Sequence, residues 1–99
     1  MKNLDVGTLL SIPCNIYQGP MTSDRVISCK VDTNPPIQIE GIVSQELIRN
    51  QDRVIAVIAE IGKDFVSILF NGEIFKPRNP IKFPIDWIQK HAEIESVSR

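Results

Sequence analysis

The stretch RVIAVIAEIGKDFVSILFNGEIF, residues 53–75, carries apolar side chains in both of its alternating sets. An antiparallel strand with one face in water alternates apolar with polar residues instead. Within 54–61 one set reads Val54, Ala56, Ile58, Glu60 and the other Ile55, Val57, Ala59, Ile61; within 65–70 the sets are Phe65, Ser67, Leu69 and Val66, Ile68, Phe70. Strands built from these segments need cover on both faces. A chain of 99 residues removes only about two-thirds of its unfolded surface from water. The second cover is therefore a short piece of the same chain or another molecule.

A helix over 44–61 is the competing assignment, capped by Ser44 and ended by Gly62, with Leu47, Val54, Ile58 and Ile61 on one stripe. Gln51 breaks that stripe, and VIAVIAEI is rich in residues stiff at χ1, so the segment is assigned as a strand after a short turn at 45–50. Gly62-Lys63-Asp64 predicts a hairpin between 53–62 and 65–70. Asn71-Gly72, the dipeptide suited to the two positive φ angles of a type I′ turn, predicts another with 73–76. That hairpin would set Phe70 opposite Glu73 and Leu69 opposite Ile74.

The flanking segments read as shorter strands. Residues 6–12 form the first and stop at Pro13, residues 13–24 are a long loop, and 25–31 alternate with Ile27, Cys29 and Val31 inward. DTNPP leads into a strand over 37–43, with Ile37, Ile39 and Val43 inward and a bend at Gly41, where a bulge or a close backbone crossing costs little. After KPRNPIKFP, residues 85–93 predict one or two helical turns presenting Ile85, Ile88 and Ala92, the internal candidate for the missing cover. Residues 94–99 are expected to fray.

The chain is thus read as one all-β domain over 1–99, ordered over 6–90. Its order of elements resembles that of small SH3-like barrels: five to six short antiparallel strands and a short C-terminal 3-10 or helical turn. The resemblance is architectural. It implies no single activity, because that barrel hosts peptide binders, nucleic-acid binders and structural subunits.

Eleven basic and twelve acidic residues give a net charge of −1, so the chain as a whole has no general attraction for polyanions or anionic lipid. MKNLDVGTLLSIPC is too poor for a signal peptide and too short to span a bilayer, which points to a cytoplasmic protein with no membrane partner. Cys14 and Cys29 sit in apolar surroundings without metal-ligand spacing and read as small buried hydrophobes. If the first two strands pair, the thiols lie close together. His91, the single histidine, reads as a solvated surface group, and Asp52, Asp64 and Asp86 as turn or helix-start residues. No phosphate loop, zincin or nucleophile-elbow motif appears, so no cofactor, metal or catalytic residue is assigned.

The function predicted is noncatalytic: protein contacts, as a homodimer or as a small subunit or adaptor of a larger assembly. Tyr17, Met21, Ile55, Val57 and Trp87 are the candidate partner-binding residues, aromatics and methionine being enriched at interfaces. The alternative is an RNA or single-strand binder using Lys76, Arg78 and Lys82 between Phe75 and Phe83. A metal-independent nuclease or toxin acting through Arg25 or Arg53 comes third.

Overall fold

The computed structural model describes residues 4–17, 26–43 and 45–96. In chain order the elements are β1 (Leu9–Pro13), β2 (Asn15–Tyr17), β3 (Val26–Val31), β4 (Ile37–Val43), a 3-10 turn (Gln45–Leu47), β5 (Ile48–Arg49), β6 (Arg53–Ile61), β7 (Phe65–Phe70), β8 (Gly72–Lys76), β9 (Ile81–Pro84), α1 (Ile85–His91) and β10 (Glu93–Ser96). Among the described residues they make two sheets, one ordered β10-β1-β6-β7-β9 with β5 against β6, the other β2-β3-β4-β8. Every pairing is antiparallel. The protein is mostly β as expected, but its sheets are open and do not close into a barrel.

Two strands hand the chain from one sheet to the other. β1 becomes β2 at Cys14, and β7 becomes β8 at Asn71. The second handover corrects the predicted Asn71-Gly72 hairpin. β8 pairs with β4, Gly41 opposite Ile74 and Ile42 opposite Glu73, so neither Phe70 nor Leu69 meets the residue expected. Of the two turn residues only Gly72 takes positive φ, at 136°, whereas the type I′ reversal needs it at both. The tight reversal lies upstream: Asn50 and Gln51 both have positive φ (54° and 61°), and Asp52 N–H donates to the Arg49 carbonyl at 3.1 Å, closing the β5–β6 hairpin.

The period-two faces sort as read. Ile27, Cys29 and Val31 from β3, Val54, Ala56 and Ile58 from β6, and Val66, Ile68 and Phe70 from β7 enter one core with Leu10, Ile12, Ile39, Ile81 and Phe83. The strand assigned over 53–61 is present, and its hairpin with β7 closes with Gly62 N–H on the Phe65 carbonyl at 2.8 Å. The bend at Gly41 is a register shift against β8. The first part of the supposed long loop is instead the end of β1 at Pro13 and strand β2, and residues 18–24 lie outside the described residues. Residues 93–96, expected to fray from 94, pair with β1.

α1 is seven residues long, with Asp86 in its first turn and Lys90 and His91 in its last, charges that suit the helix dipole. Ile88 and Ala92 are fully buried and belong to the core both sheets share. The helix therefore lines the inner core and does not cover the outer face of β6 and β7, the role expected of it.

One side chain stands in for a strand. β9 stops opposite Ile68, and beyond it the Asn79 amide takes the place of a peptide group: Phe70 N–H donates to Asn79 Oδ1 at 3.0 Å, and Asn79 Nδ2 donates to the Phe70 carbonyl at 2.7 Å. Asn79→Ala removes both partners from half-buried backbone groups and should cost about 1–2 kcal/mol, measured by urea unfolding. A loss indistinguishable from zero would mean that water replaces the amide without penalty.

Candidate functional site

The outer face of β1, β6 and β7 answers for the doubly apolar sequence. Register aligns Leu9 with Val57 and Val57 with Leu69, an apolar row across three strands, and the next row sets Ser11 beside Ile55. These rows fare differently. Ile55 is 5% exposed, whereas Leu9 is 37% and Leu69 40% exposed.

Charged side chains close the Ile55 end. Arg53 donates from Nε to Ser11 Oγ at 2.9 Å and from Nη2 to the Ser11 carbonyl at 3.0 Å and the His91 carbonyl at 2.9 Å, tying β1 to the end of α1. Arg49 on β5 pairs with Glu95 on β10 at 3.7 Å. Those strands lie on opposite sides of the β1–β6 pair, so the ion pair spans it. Such a half-exposed pair adds little Coulombic stability, but the hydrocarbon stems of arginine cover apolar surface.

The other end stays open. Leu9, Leu47, Val57, Leu69 and Asn79 line a hollow of about 580 Å³. Val57 is half-buried there.

The expected partner residues do not converge on this hollow. Val57 and Ile55 border it, Tyr17 is 57% exposed on β2 in the other sheet, and Met21 lies outside the described residues. Trp87 is on α1, its ring 6.0 Å from Phe83 and 5.0 Å from His91, and its Nε1–H donates to the Asp32 carbonyl at 3.0 Å. It packs over the end of the core. Leu9, Leu47 and Leu69 were missed, and strand register is the information that would have supplied the first and last of them.

The basic set divides as well. Lys76 and Arg78 are exposed near the β8 edge, while Lys82 on β9 lies over the Phe65 ring at 4.6 Å. Phe83 points into the core, but Phe75 is 58% exposed. Lys76 pairs with Glu40 and Ile74 with Gly41, so Phe75 is the extra residue of a bulge, a device that re-aims a side chain.

Thiol and imidazole groups meet elsewhere. A cleft of about 290 Å³ is lined by Cys14, Asp32, Asp52, Trp87 and His91 among others. A larger hollow of about 680 Å³, bordered by Asn34, Asp86 and Lys90, shares Trp87 and His91 with it. The thiols of Cys14 and Cys29 hydrogen-bond to each other. That bond, burial and the nearby Asp52 carboxylate hold the Cys14 thiol above its ordinary range; accepting the Cys14 proton draws Cys29 downward, against the effect of its own burial. Among the described residues no group of three or more His, Cys, Asp or Glu is placed to hold a metal ion, and no helix is long and apolar enough to cross a membrane. Arg25 lies outside the described residues, and the Arg53 guanidinium is engaged as described. Comparison with protein-family models, with curated proteins and with solved structures finds no match to this chain.

Proposed function

We propose that this is a noncatalytic interaction domain whose contact surface is the open half of the β1–β6–β7 outer face, and that a second copy of the chain occupies it. The observation that carries the reading is the row Leu9, Val57, Leu69, with both ends more than a third exposed. Sheets pack face to face at about 10 Å through such apolar rows. An apolar row across antiparallel strands is complementary to itself under two-fold rotation, and a net charge of −1 leaves two copies little to repel. The SH3-like reading of the architecture belongs to the same proposal, supported by the β6–β7 hairpin and the short helix after β9.

Leu69→Asp is the test. Ile55 is unsuitable, because a carboxylate there would be buried without a partner and would unfold the chain. Leu69 is exposed enough for the fold to survive with a stability change within about 1 kcal/mol. Sedimentation equilibrium should show a wild-type dimer whose dissociation constant rises at least about 100-fold, or 2.7 kcal/mol, in the variant. Wild-type protein that is monomeric at every concentration removes the second copy as occupant and leaves the small-subunit reading. A dimer indifferent to Leu69→Asp removes the surface.

A second reading rests on the other sheet. Its outer side exposes Tyr17 on β2 and the bulged Phe75 beside Lys76 on β8, aromatic and cationic groups of the kind single strands stack upon. Glu40 lies between them in the row Tyr17–Ser28–Glu40–Lys76, which weakens the attraction for phosphate. Binding of a single-stranded oligonucleotide whose affinity does not fall with salt would end this alternative.

A further inference from the structure

Cys14 and Cys29 are the only cysteines in the chain, and the handover from β1 to β2 brings them together. β2 pairs with β3 so that Asn15 faces Lys30 and Ile16 faces Cys29. Cys14, one step before β2, is then the diagonal neighbour of Cys29 on the core side of the sheet. Both thiols are free, and they hydrogen-bond to each other. Their surroundings differ in access as well as in proton affinity. Cys29 is 3% exposed within the core, whereas Cys14, at 9%, forms part of the wall of the cleft it shares with His91. Cys14 thus borders a space of about 290 Å³, and Cys29 is the neighbour its thiol interacts with.

We propose that this pair is an oxidative modification site, in which a small hydroperoxide entering the cleft converts Cys14 and Cys29 into an intramolecular disulfide. In the first step the Cys14 thiolate, kept scarce because the Cys29 contact, burial and Asp52 all hold the thiol proton, attacks the distal peroxide oxygen, so the reaction is slow. An S–O bond forms, the O–O bond breaks, and the alcohol, or water from hydrogen peroxide, leaves with the thiol proton. In the second step the Cys29 sulfur attacks the Cys14 sulfenic acid; the S–O bond breaks and water leaves with the Cys29 proton. Two thiols lose two electrons between them, and one peroxide is reduced.

The geometry favours the second step. The two side chains lie on one face of the sheet as diagonal neighbours, and a disulfide of about 2.0 Å forms between them when the β1–β2 corner closes on β3. Cys14 also sits where the chain passes between sheets, its N–H bonded to the Asp52 carbonyl at 2.9 Å, so its backbone is less constrained than in a continuous ladder. The cross-link ties the β1–β2 corner to β3.

The experiment treats the reduced full-length chain with equimolar hydrogen peroxide under native conditions and follows intact mass, thiol titre and cross-linked peptides. The expected product is lighter by two hydrogens, yields one Cys14–Cys29 peptide, loses both free thiols together and reverts with dithiothreitol. In Cys29→Ser, Cys14 should instead gain one oxygen that dimedone captures. In Cys14→Ser, oxidation of Cys29 should slow at least about tenfold, since Cys29 is 3% exposed. Circular dichroism confirms that each variant keeps the fold. Oxygen added to wild type without a cross-link, reaction only after unfolding in urea, or a Cys14→Ser rate equal to that of wild type would each overturn the assignment.

Discussion

Gly41→Ala should cost more than about 3 kcal/mol, a large share of the stability of so small a domain. A Cβ at residue 41 would lie 2.4 Å from the Glu73 carbonyl oxygen and 2.9 Å from the Ile74 Cα. Both are backbone atoms, so no change of rotamer relieves the clash. Nor does either strand retreat freely: β4 is paired along its length with β3, and β8 continues directly from β7, which β6 and β9 hold. The strain is relieved only by parting β4 from β8, which opens the second sheet. Gly62→Ala is the control. There the atoms nearest the added carbon all belong to the ring of Phe65, and a ring near the end of a hairpin turns aside. Urea midpoints should separate the two variants clearly. Equal losses would mean that the β4–β8 crossing yields as easily as a side chain.

Ile88→Ala should cost about 2–5 kcal/mol and release α1 from the core. A seven-residue helix is too short to persist on its own. The residue that caps its N-terminus, Pro84, offers no side-chain hydrogen bond, so the helix depends on what it buries. Within it Ile88 is the fully buried residue, and Ala92 just beyond is buried too. Truncating Ile88 leaves a cavity in the core it shares with Phe83, which is 1% exposed and in ring contact with Phe70 at 6.3 Å and Trp87 at 6.0 Å. Trp87 reports the event directly, since its hydrogen bond to the Asp32 carbonyl holds only while the helix is seated. Its fluorescence should shift to the red at a urea concentration below the wild-type midpoint. An unchanged midpoint would show that the sheets close without the helix.

Much of this fold could be read locally. The sets Ile27-Cys29-Val31, Val54-Ala56-Ile58 and Val66-Ile68-Phe70 all reach the core, because a period of two is written within each strand. The cover demanded by the doubly apolar segment could also be anticipated, but its form could not. Arg49 and Glu95 meet across the β1–β6 pair only because β10 comes to lie beside β1, a pairing between distant parts of the chain. The same limit hid the destination of β8. Asn71-Gly72 is a strong local signal for a hairpin, yet the strand it releases finds its partner at Gly41, whose missing side chain makes room for it. Of the site, Val57 and Ile55 were visible as apolar residues on the surplus face. Leu9 and Leu69 became neighbours of Val57 through register alone, and Trp87 was drawn away by a backbone carbonyl no pattern could announce.

The position of β1 also bears on how the molecule assembles. β1 is translated first, yet its neighbours are β6 and β10, and Leu9 ends up opposite Ser96. As the chain leaves the ribosome, this strand has no partner until β6 emerges, and its far edge waits for β10. Meanwhile β3 and β4 have everything needed to pair early. Folding should therefore begin at the β3–β4 hairpin and finish only once β10 has emerged, and a nascent chain stalled ahead of β10 would display the Leu9–Ile12 edge to chaperones or to its neighbours.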